Sequence, residues 1–189
     1  TTNKYYVEFG AIDGHQDCNT FYFRENEEWT GLLLESGKWF PVAPNDEINL
    51  KIETVSKDNI NSIFKKYNVP YEFDLLSVDI DSFDYWVTKE ILTQYSPRVV
   101  MVEVNVRFEP TESWRLKDDP NWDWNGTKWY GASPMAYKKM FNDAGYTPVY
   151  THVDDLIAVR NDVLKENGFS EPEWNYVYPH SNVPLYNTH

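Results

Sequence analysis

The sequence predicts an α/β domain with a mostly parallel sheet of seven strands and helices on both faces. Short apolar segments alternate with segments of helical periodicity along the chain, which is the pattern of a parallel sheet covered by helices. The last two apolar segments are separated only by a short acidic turn, which predicts a terminal antiparallel hairpin. The 189 residues fit one core, so we expect a single domain over residues 1–189.

Hydrophobic patterning assigns the first half of the chain. A short apolar strand ends at Gly10, and Asn19 with Thr20 can cap the helix that follows. The continuous apolar run over 31–34 is typical of a strand buried on both faces. In chain order, the predicted elements are a strand over 4–9, a helix over 20–28, strands over 31–35 and 48–55, and a helix over 57–67.

The second half follows from the same signals. Pro97 ends one helix, and Gly145 is placed to close another as a C-cap. In chain order, the predicted elements are a strand over 74–79, a helix over 84–95, a strand over 99–104, a helix over 134–143, and a hairpin of strands over 146–151 and 156–160. Residues 106–130 lack periodicity and are predicted to be a long loop, and residues 168–189 are predicted to be a surface tail.

Charge and composition exclude several classes of protein. The formal net charge is -13, which repels phosphate backbones and anionic membranes, so we expect no nucleic-acid partner. No apolar run is long enough to predict a membrane span, and no N-terminal segment resembles a signal peptide. The single cysteine, Cys18, is consistent with a reducing compartment, and we expect a cytoplasmic protein.

Polar side chains follow nearly every predicted strand. Ligands of doubly wound sheets bind beyond the carboxyl ends of the strands, so a cluster of acids there favours a ligand site. The alternative is that each acid stabilises the start of the next helix. The residues concerned are Glu8, Asp13, Glu35, Asp79, Asp81, Glu103 and Asn105.

A glycine turn and a downstream acid predict a nucleoside site. Gly10 and Gly14 follow the first strand with a spacing that differs from the dinucleotide fingerprint, and Glu35 ends the second strand about twenty residues on. Glycines allow close approach of a ligand to the backbone. An acid at the end of the second strand can accept both ribose hydroxyls.

Several longer segments carry a resemblance to a known family. VEFGAIDG, WTGLLLE, FDLLSVDIDSFDYW and PRVVMVEVN resemble segments of the FkbM-like methyltransferases, and YGAS, GY and AVRND fit the same pattern. The resemblance covers nearly the whole chain, although Ser82 replaces a usual Gly and Cys18 a common Ser. It implies a Rossmann-like class I fold, S-adenosylmethionine as cofactor, and O-methylation of sugars or related hydroxyl compounds.

The resemblance also implies roles for individual residues. The glycine turn would line the methionine part of the cofactor, Glu35 would hold the ribose, the segment around Val55 would flank the adenine, and Asp79 would lie beside the reacting methyl group. The full set of expected cofactor-binding residues is Glu8, Gly10, Ala11, Asp13, Gly14, Asn19, Thr20, Glu35, Ser36, Val55, Ser56 and Asp79.

Methyl transfer to a hydroxyl requires alignment and removal of a proton. Asp79 and Asp81 are candidates for the base, and His152 after the sixth strand is another. A divalent cation is the alternative way to activate the hydroxyl, because oxygen ligands suit Mg²⁺ or Mn²⁺. Its expected ligands are Asp79, Asp81, Glu103 and Asn105.

The loop over 106–130 is the expected acceptor site. Four of its side chains are indoles, and aromatic faces suit the C–H faces of sugars; packing of the loop onto the domain is the alternative interpretation. These candidates are Trp114, Trp122, Trp124 and Trp129.

We therefore expect an enzyme that methylates a sugar hydroxyl of a glycan or glycoconjugate. The alternatives are a methyltransferase for a small molecule that is not a sugar, and a catalytically silent carbohydrate-binding domain with the same fold. Because the first strand begins almost at the first residue, we expect a domain excised from a longer chain, with other glycan-processing domains as fusion partners.

Overall fold

The computed structural model describes residues 2–119, 122 and 126–179. Within them lie seven strands and six helices. The strands are β1 Tyr5–Phe9, β2 Thr30–Glu35, β3 Leu50–Ile52, β4 Leu75–Val78, β5 Val99–Glu103, β6 Tyr146–His152 and β7 Asp155–Arg160. The helices are α1 Phe21–Glu27, α2 Ile60–Lys66, α3 Asp84–Ile91, α4 Pro134–Asp143, α5 Asn161–Glu166 and α6 Trp174–Val177. No helix in this part of the chain is long and apolar enough to cross a membrane.

The strands form one mostly parallel sheet, in the order β3-β2-β1-β4-β5-β7-β6. β1 pairs in parallel with both β2 and β4, and β2 pairs in parallel with β3. β6 and β7 pair antiparallel, with a bulge between Pro148 and Tyr150. The α/β class, the seven strands and the antiparallel end pair are thus confirmed.

The chain divides into two compact units, of which the first comprises residues 2–80 and 86–101. Its core lies along β1, β2 and β4. Leu32, Leu33 and Leu34 of β2 are all almost fully buried, so both faces of this strand are covered. On β1, Val7 lies between Leu32 and Leu76 in the register of the parallel ladder. The apolar run of β2 is therefore explained by burial on two faces.

A buried carboxylate fixes the N-terminal edge of this unit. Asp74, which is 3% exposed, accepts hydrogen bonds from the backbone N–H groups of Thr2, Asn3 and Lys4 at 2.8–3.1 Å. The Arg98 guanidinium lies 3.3 Å from the same carboxylate. Asp74 thus anchors the segment that leads into β1, and its negative charge is compensated locally.

The second unit comprises residues 81–85 and the described residues from 102 onward. Its longest helix, α4, begins at Ser133, whose hydroxyl accepts from the Ala136 N–H, and Pro134 occupies the first turn. Both features favour a helix start at this point. Tyr137 and Phe141 of α4 are fully buried in the core of the unit.

Several predicted boundaries and one predicted cap are wrong. The helix over 84–95 ends at Ile91, and the strand over 48–55 is reduced to Leu50–Ile52. Thr20 does not cap α1 with its side chain, because its hydroxyl donates to Glu8. The short helices α5 and α6 were not predicted, and α6 lies within the expected tail.

Candidate functional site

The glycine turn follows β1 in the first unit. Gly10 has φ +73°, and a Cβ there would lie 1.9 Å from the Asp79 carbonyl oxygen, so only glycine fits. The Gly10 N–H donates to the Leu34 carbonyl at 3.0 Å, and the Gly14 N–H closes the turn onto the Ala11 carbonyl at 2.7 Å. The predicted turn is thus built across the carboxyl ends of β1, β2 and β4.

Glu35 contacts this turn directly. The side chain is 6% exposed. Its Oε2 accepts from the Ile12 N–H at 3.2 Å, while its Oε1 accepts from the Gly37 N–H and the Ser36 hydroxyl, both at 3.1 Å. The glycine turn and the acid, which the sequence separates by about twenty residues, therefore form one hydrogen-bonded unit. Ser36 serves to orient this carboxylate.

The segment after β3 lies at the same edge. The Glu53 N–H donates to the Glu35 carbonyl at 2.8 Å, so the segment after β3 runs beside Glu35. The Ser56 N–H then donates to the Asn59 side chain at 2.7 Å, and the Ser56 carbonyl accepts from Ile60 at the start of α2. Val55 and Ser56 thus lie between the end of β3 and α2, next along the sheet from Glu35.

Glu8 has a different task from the other expected cofactor-binding residues. It is 1% exposed. It accepts from the N–H groups of Asn19 and Thr20 at 2.7 and 2.9 Å, from the Thr20 hydroxyl at 2.5 Å, and from the Cys18 thiol at 3.2 Å. With four protein donors the carboxylate has little capacity for a ligand. Glu8, Asn19 and Thr20 together fix the loop that follows the glycine turn.

Burial and this carboxylate also determine the state of the thiol. Desolvation, together with the Glu8 charge, raises the pKa of Cys18 to about 11, so the thiol stays protonated. The Asn19 side chain donates to the Ser77 hydroxyl on β4 at 3.2 Å, which ties the same loop to the sheet.

Asp13 lies at the exposed end of the turn. Its Oδ1 accepts from the backbone N–H groups of Gln16 and His15, both at 2.9 Å. These bonds favour the ionised form and lower the pKa of the Asp13 carboxyl. A charged carboxylate is therefore fixed at the edge of the turn.

The second unit contains a cluster of acids. A carboxylate oxygen of Asp81 lies within 4.8 Å of one of Glu103. Partial burial raises the pKa of Asp81, and the charge of Asp154 raises it further. Asp81 also has φ +55°, an uncommon conformation for a residue with a side chain. Asp79, the expected third ligand, follows β4 in the first unit.

Asn105, the expected fourth ligand, holds a loop. It is fully buried, and its Nδ2 donates to the carbonyls of Lys128 and Tyr130 at 2.9 and 3.1 Å. Its Oδ1 accepts from the Arg107 N–H at 3.2 Å. All three bonds connect the end of β5 to its own following loop. The structure therefore gives Asn105 a structural task, and its expected role as a ligand stays a prediction.

Three further residues belong to this cluster: Asp154, Asp155 and Tyr130. None of them was among the predicted site residues. Burial, and next the charge of Asp154, raise the pKa of Asp155 to about 6, while the charge of His152 acts in the opposite direction. Burial first, and the charge of Glu103 next, raise the pKa of the Tyr130 phenol. His152 itself is exposed and pairs with Asp155 across the hairpin. The acidic turn between the last strands was the sequence signal for Asp154 and Asp155.

The tryptophans of the loop pack mainly on other aromatic rings. Trp114 stacks on Phe108 at 4.8 Å between centroids and lies 5.5 Å from Trp129. Trp122 packs edge-on against Phe83 at 5.6 Å. Trp129 is 46% exposed, which leaves it the most accessible of the three. Trp124 lies outside the described residues.

Comparison with known proteins does not assign the chain to a family. No family model matches it, and no curated protein matches it. Among the solved structures that match is one described as the crystal structure of TnmH, with 11% identity and a TM-score of 0.42. The match covers 82% of this chain and 48% of that one, so this chain spans about half the length of TnmH. A similarity at this level does not establish a shared fold or activity.

Proposed function

We propose that this chain is an S-adenosylmethionine-dependent O-methyltransferase with a Rossmann-like fold, the activity that its sequence resemblance implies. The observation that carries the proposal is the direct bond between the glycine turn and Glu35, at 3.2 Å from the Ile12 N–H to Oε2. A turn and an acid in contact at the carboxyl ends of adjacent parallel strands form the arrangement that binds a nucleoside.

The residues of the first unit fit such a cofactor. A carboxylate has about four acceptor sites, and Glu35 receives three protein donors, so it retains capacity for a ribose hydroxyl. The segment containing Val55 and Ser56 would flank the base, and the ionised Asp13 would face the amino-acid part. When bound, the cofactor supplies a methyl group on a positively charged sulfur.

The acids of the second unit would serve proton removal from the acceptor hydroxyl. Asp81 has a raised pKa, which brings a carboxylate closer to the range of an effective base. The alternative is that Asp81 and Glu103 hold Mg²⁺ or Mn²⁺, since carboxylate oxygens suit these ions. A sugar hydroxyl is the acceptor we propose, and the exposed Trp129 ring would contact it.

Calorimetry with S-adenosylmethionine tests the proposal. The wild-type chain should bind the cofactor, whereas a silent domain should not. Glu35→Ala should weaken binding by about 1–3 kcal/mol, because hydrogen bonds to a charged acceptor are lost. Glu47→Ala, which removes an exposed acid of the same unit, should leave affinity unchanged. Absence of binding by the wild-type chain would refute the proposal, and unchanged affinity in a folded Glu35→Ala variant would remove Glu35 from it.

A further inference from the structure

Arg24 is a largely buried cation beside the glycine turn of the first unit. Its side chain is 10% exposed. Nη2 donates to the Gly14 carbonyl at 2.7 Å, and Nε donates to the Glu25 carboxylate at 2.9 Å. A charge-assisted bond to a buried carbonyl is stronger than a neutral one, and Gly14 is itself buried. Arg24 is thus a strong constraint on the last residue of the turn.

There is no free space for a side chain beside Gly14. It has φ +79°, and a Cβ there would lie 2.6 Å from Ile48 Cδ1 and 3.0 Å from Leu33 Cδ1. The Gly14 N–H is held by the Ala11 carbonyl at 2.7 Å. Hydrogen bonds therefore hold both the N–H and the carbonyl of Gly14, and only glycine fits at this position.

The constraint extends through the turn to the proposed ribose acid. Ile12, two residues before Gly14, donates its N–H to Glu35 at 3.2 Å. Apart from the largely buried side chain of Arg24, the helix α1 has no buried residue. The guanidinium, which also lies 5.4 Å from the Phe21 ring centroid, therefore connects α1 to the turn.

We infer that Arg24 is a positioning residue for the donor site: it sets the shape of the Gly10–Gly14 turn through the Gly14 carbonyl and thereby the orientation of Glu35. This inference rests on the proposed function. It assigns no contact between Arg24 and the cofactor. Loss of the guanidinium should loosen the turn while the sheet beneath it stays folded.

Three variants separate this role from a general effect on stability. Arg24→Met removes the donor, Arg24→Lys keeps a cation that can reach the carbonyl, and Glu25→Gln neutralises the exposed partner while the Gly14 contact remains. Calorimetry with S-adenosylmethionine, well below the Tm of each variant, should show affinity about tenfold weaker for Arg24→Met, the scale of one charge-assisted hydrogen bond. Arg24→Lys should recover most of that loss, and Glu25→Gln should match wild type.

Amide hydrogen exchange gives a second readout that needs no cofactor. The Ile12 and Gly14 amides should exchange faster in Arg24→Met than in wild type, whereas amides of β1 and β2 should keep their protection. If Arg24→Met fails to fold, Arg24→Gln takes its place, since its amide donates only a neutral bond. The inference would be overturned if the Ile12 and Gly14 amides of the Arg24 variant exchanged as slowly as in wild type, or if the variant bound the cofactor with wild-type affinity. Failure of wild-type protein to bind the cofactor would instead contradict the proposed function, and the exchange result would still decide the role of Arg24.

Discussion

The carboxylates of the two units are held in different ways. In the first unit, Glu8, Glu35 and Asp74 are buried, and each accepts hydrogen bonds from backbone N–H groups. In the second, burial raises the pKa values of Asp81 and Asp155, and the neighbouring charge of Asp154 raises both further. Backbone N–H donors fix the position of a carboxylate, whereas burial beside another acid favours a bound proton or cation.

The acids of the first unit thus have a structural role, whereas those of the second unit are candidates for chemistry. The first unit uses its acids to fix the loops around the proposed donor site, so that site is preorganised by the chain itself. The crowded acids of the second unit are suited to proton transfer or cation binding, because groups with shifted pKa values gather at functional sites. Three changes, ordered by the size of the expected effect, test whether the distinction holds.

The largest effect is expected for Glu8→Ala in the first unit. The substitution leaves the buried N–H groups of Asn19 and Thr20 and the Thr20 hydroxyl without their acceptor. We expect the free energy of unfolding to fall by about 3–4 kcal/mol, because buried donors without partners are costly. Urea denaturation measures this value. Glu47→Ala should change it by less than about 0.5 kcal/mol, and a similarly small loss for Glu8→Ala would show that Glu8 is not structural.

The same comparison shows how far the sequence could predict the structure. The apolar run of β2 and the spacing from Gly10 to Glu35 were sufficient to place the turn and the acid at the carboxyl ends of their strands, because strand periodicity determines where each strand ends. The direct bond from the Ile12 N–H to Glu35 was not predicted. The bonds of Glu8 depend on residues 18–20 folding back over the end of β1. No local pattern encodes such a return, so Glu8 was assigned to the ligand.

The same limit applies to the second unit. Asn105 and Tyr130 are 25 residues apart, and their contact depends on the path of an irregular loop without periodicity. Asn105 was therefore expected to be a ligand, and Tyr130 was not selected. The tryptophans show a further ambiguity, since an indole that binds a ligand and one that packs on Phe108 have the same sequence signal.

The second prediction concerns a divalent cation in the second unit. If Asp81 and Glu103 are ligands, Mg²⁺ or Mn²⁺ should stabilise the folded protein by about 2.7 kcal/mol at a concentration of one hundred times Kd. Calorimetric Tm with added metal and with chelator measures the difference. Asp81→Asn should abolish the response, whereas Glu171→Gln, an exposed acid of the same unit, should preserve it. A Tm that does not respond to metal would favour Asp81 as a base without a cation.

The smallest effect is expected from the titration of Asp155. Its pKa in the folded protein is raised to about 6, so the folded chain binds this proton more tightly than the unfolded chain does. The cost of its charge is fully present above pH 6 and is lost as the pH falls from about 6 towards the unfolded value of roughly 4. Since the group is partly exposed and screened by solvent, this contribution should be about 1 kcal/mol.

Asp155→Asn removes that titration, so it should raise the free energy of unfolding at pH 7. It should also reduce the gain in stability that the wild-type protein shows as the pH falls from 6 to 4. Urea denaturation across this range measures both effects. Asp162→Asn is the matched control, because Arg160 lowers the pKa of Asp162 and its contribution has the opposite sign. The ionised Asp162 carboxylate stabilises the folded protein, so its replacement should not raise the free energy of unfolding at pH 7. If the two variants behaved alike, burial and the charge of Asp154 would not be raising the pKa of Asp155, and the contrast between the acids of the two units would lose its physical basis.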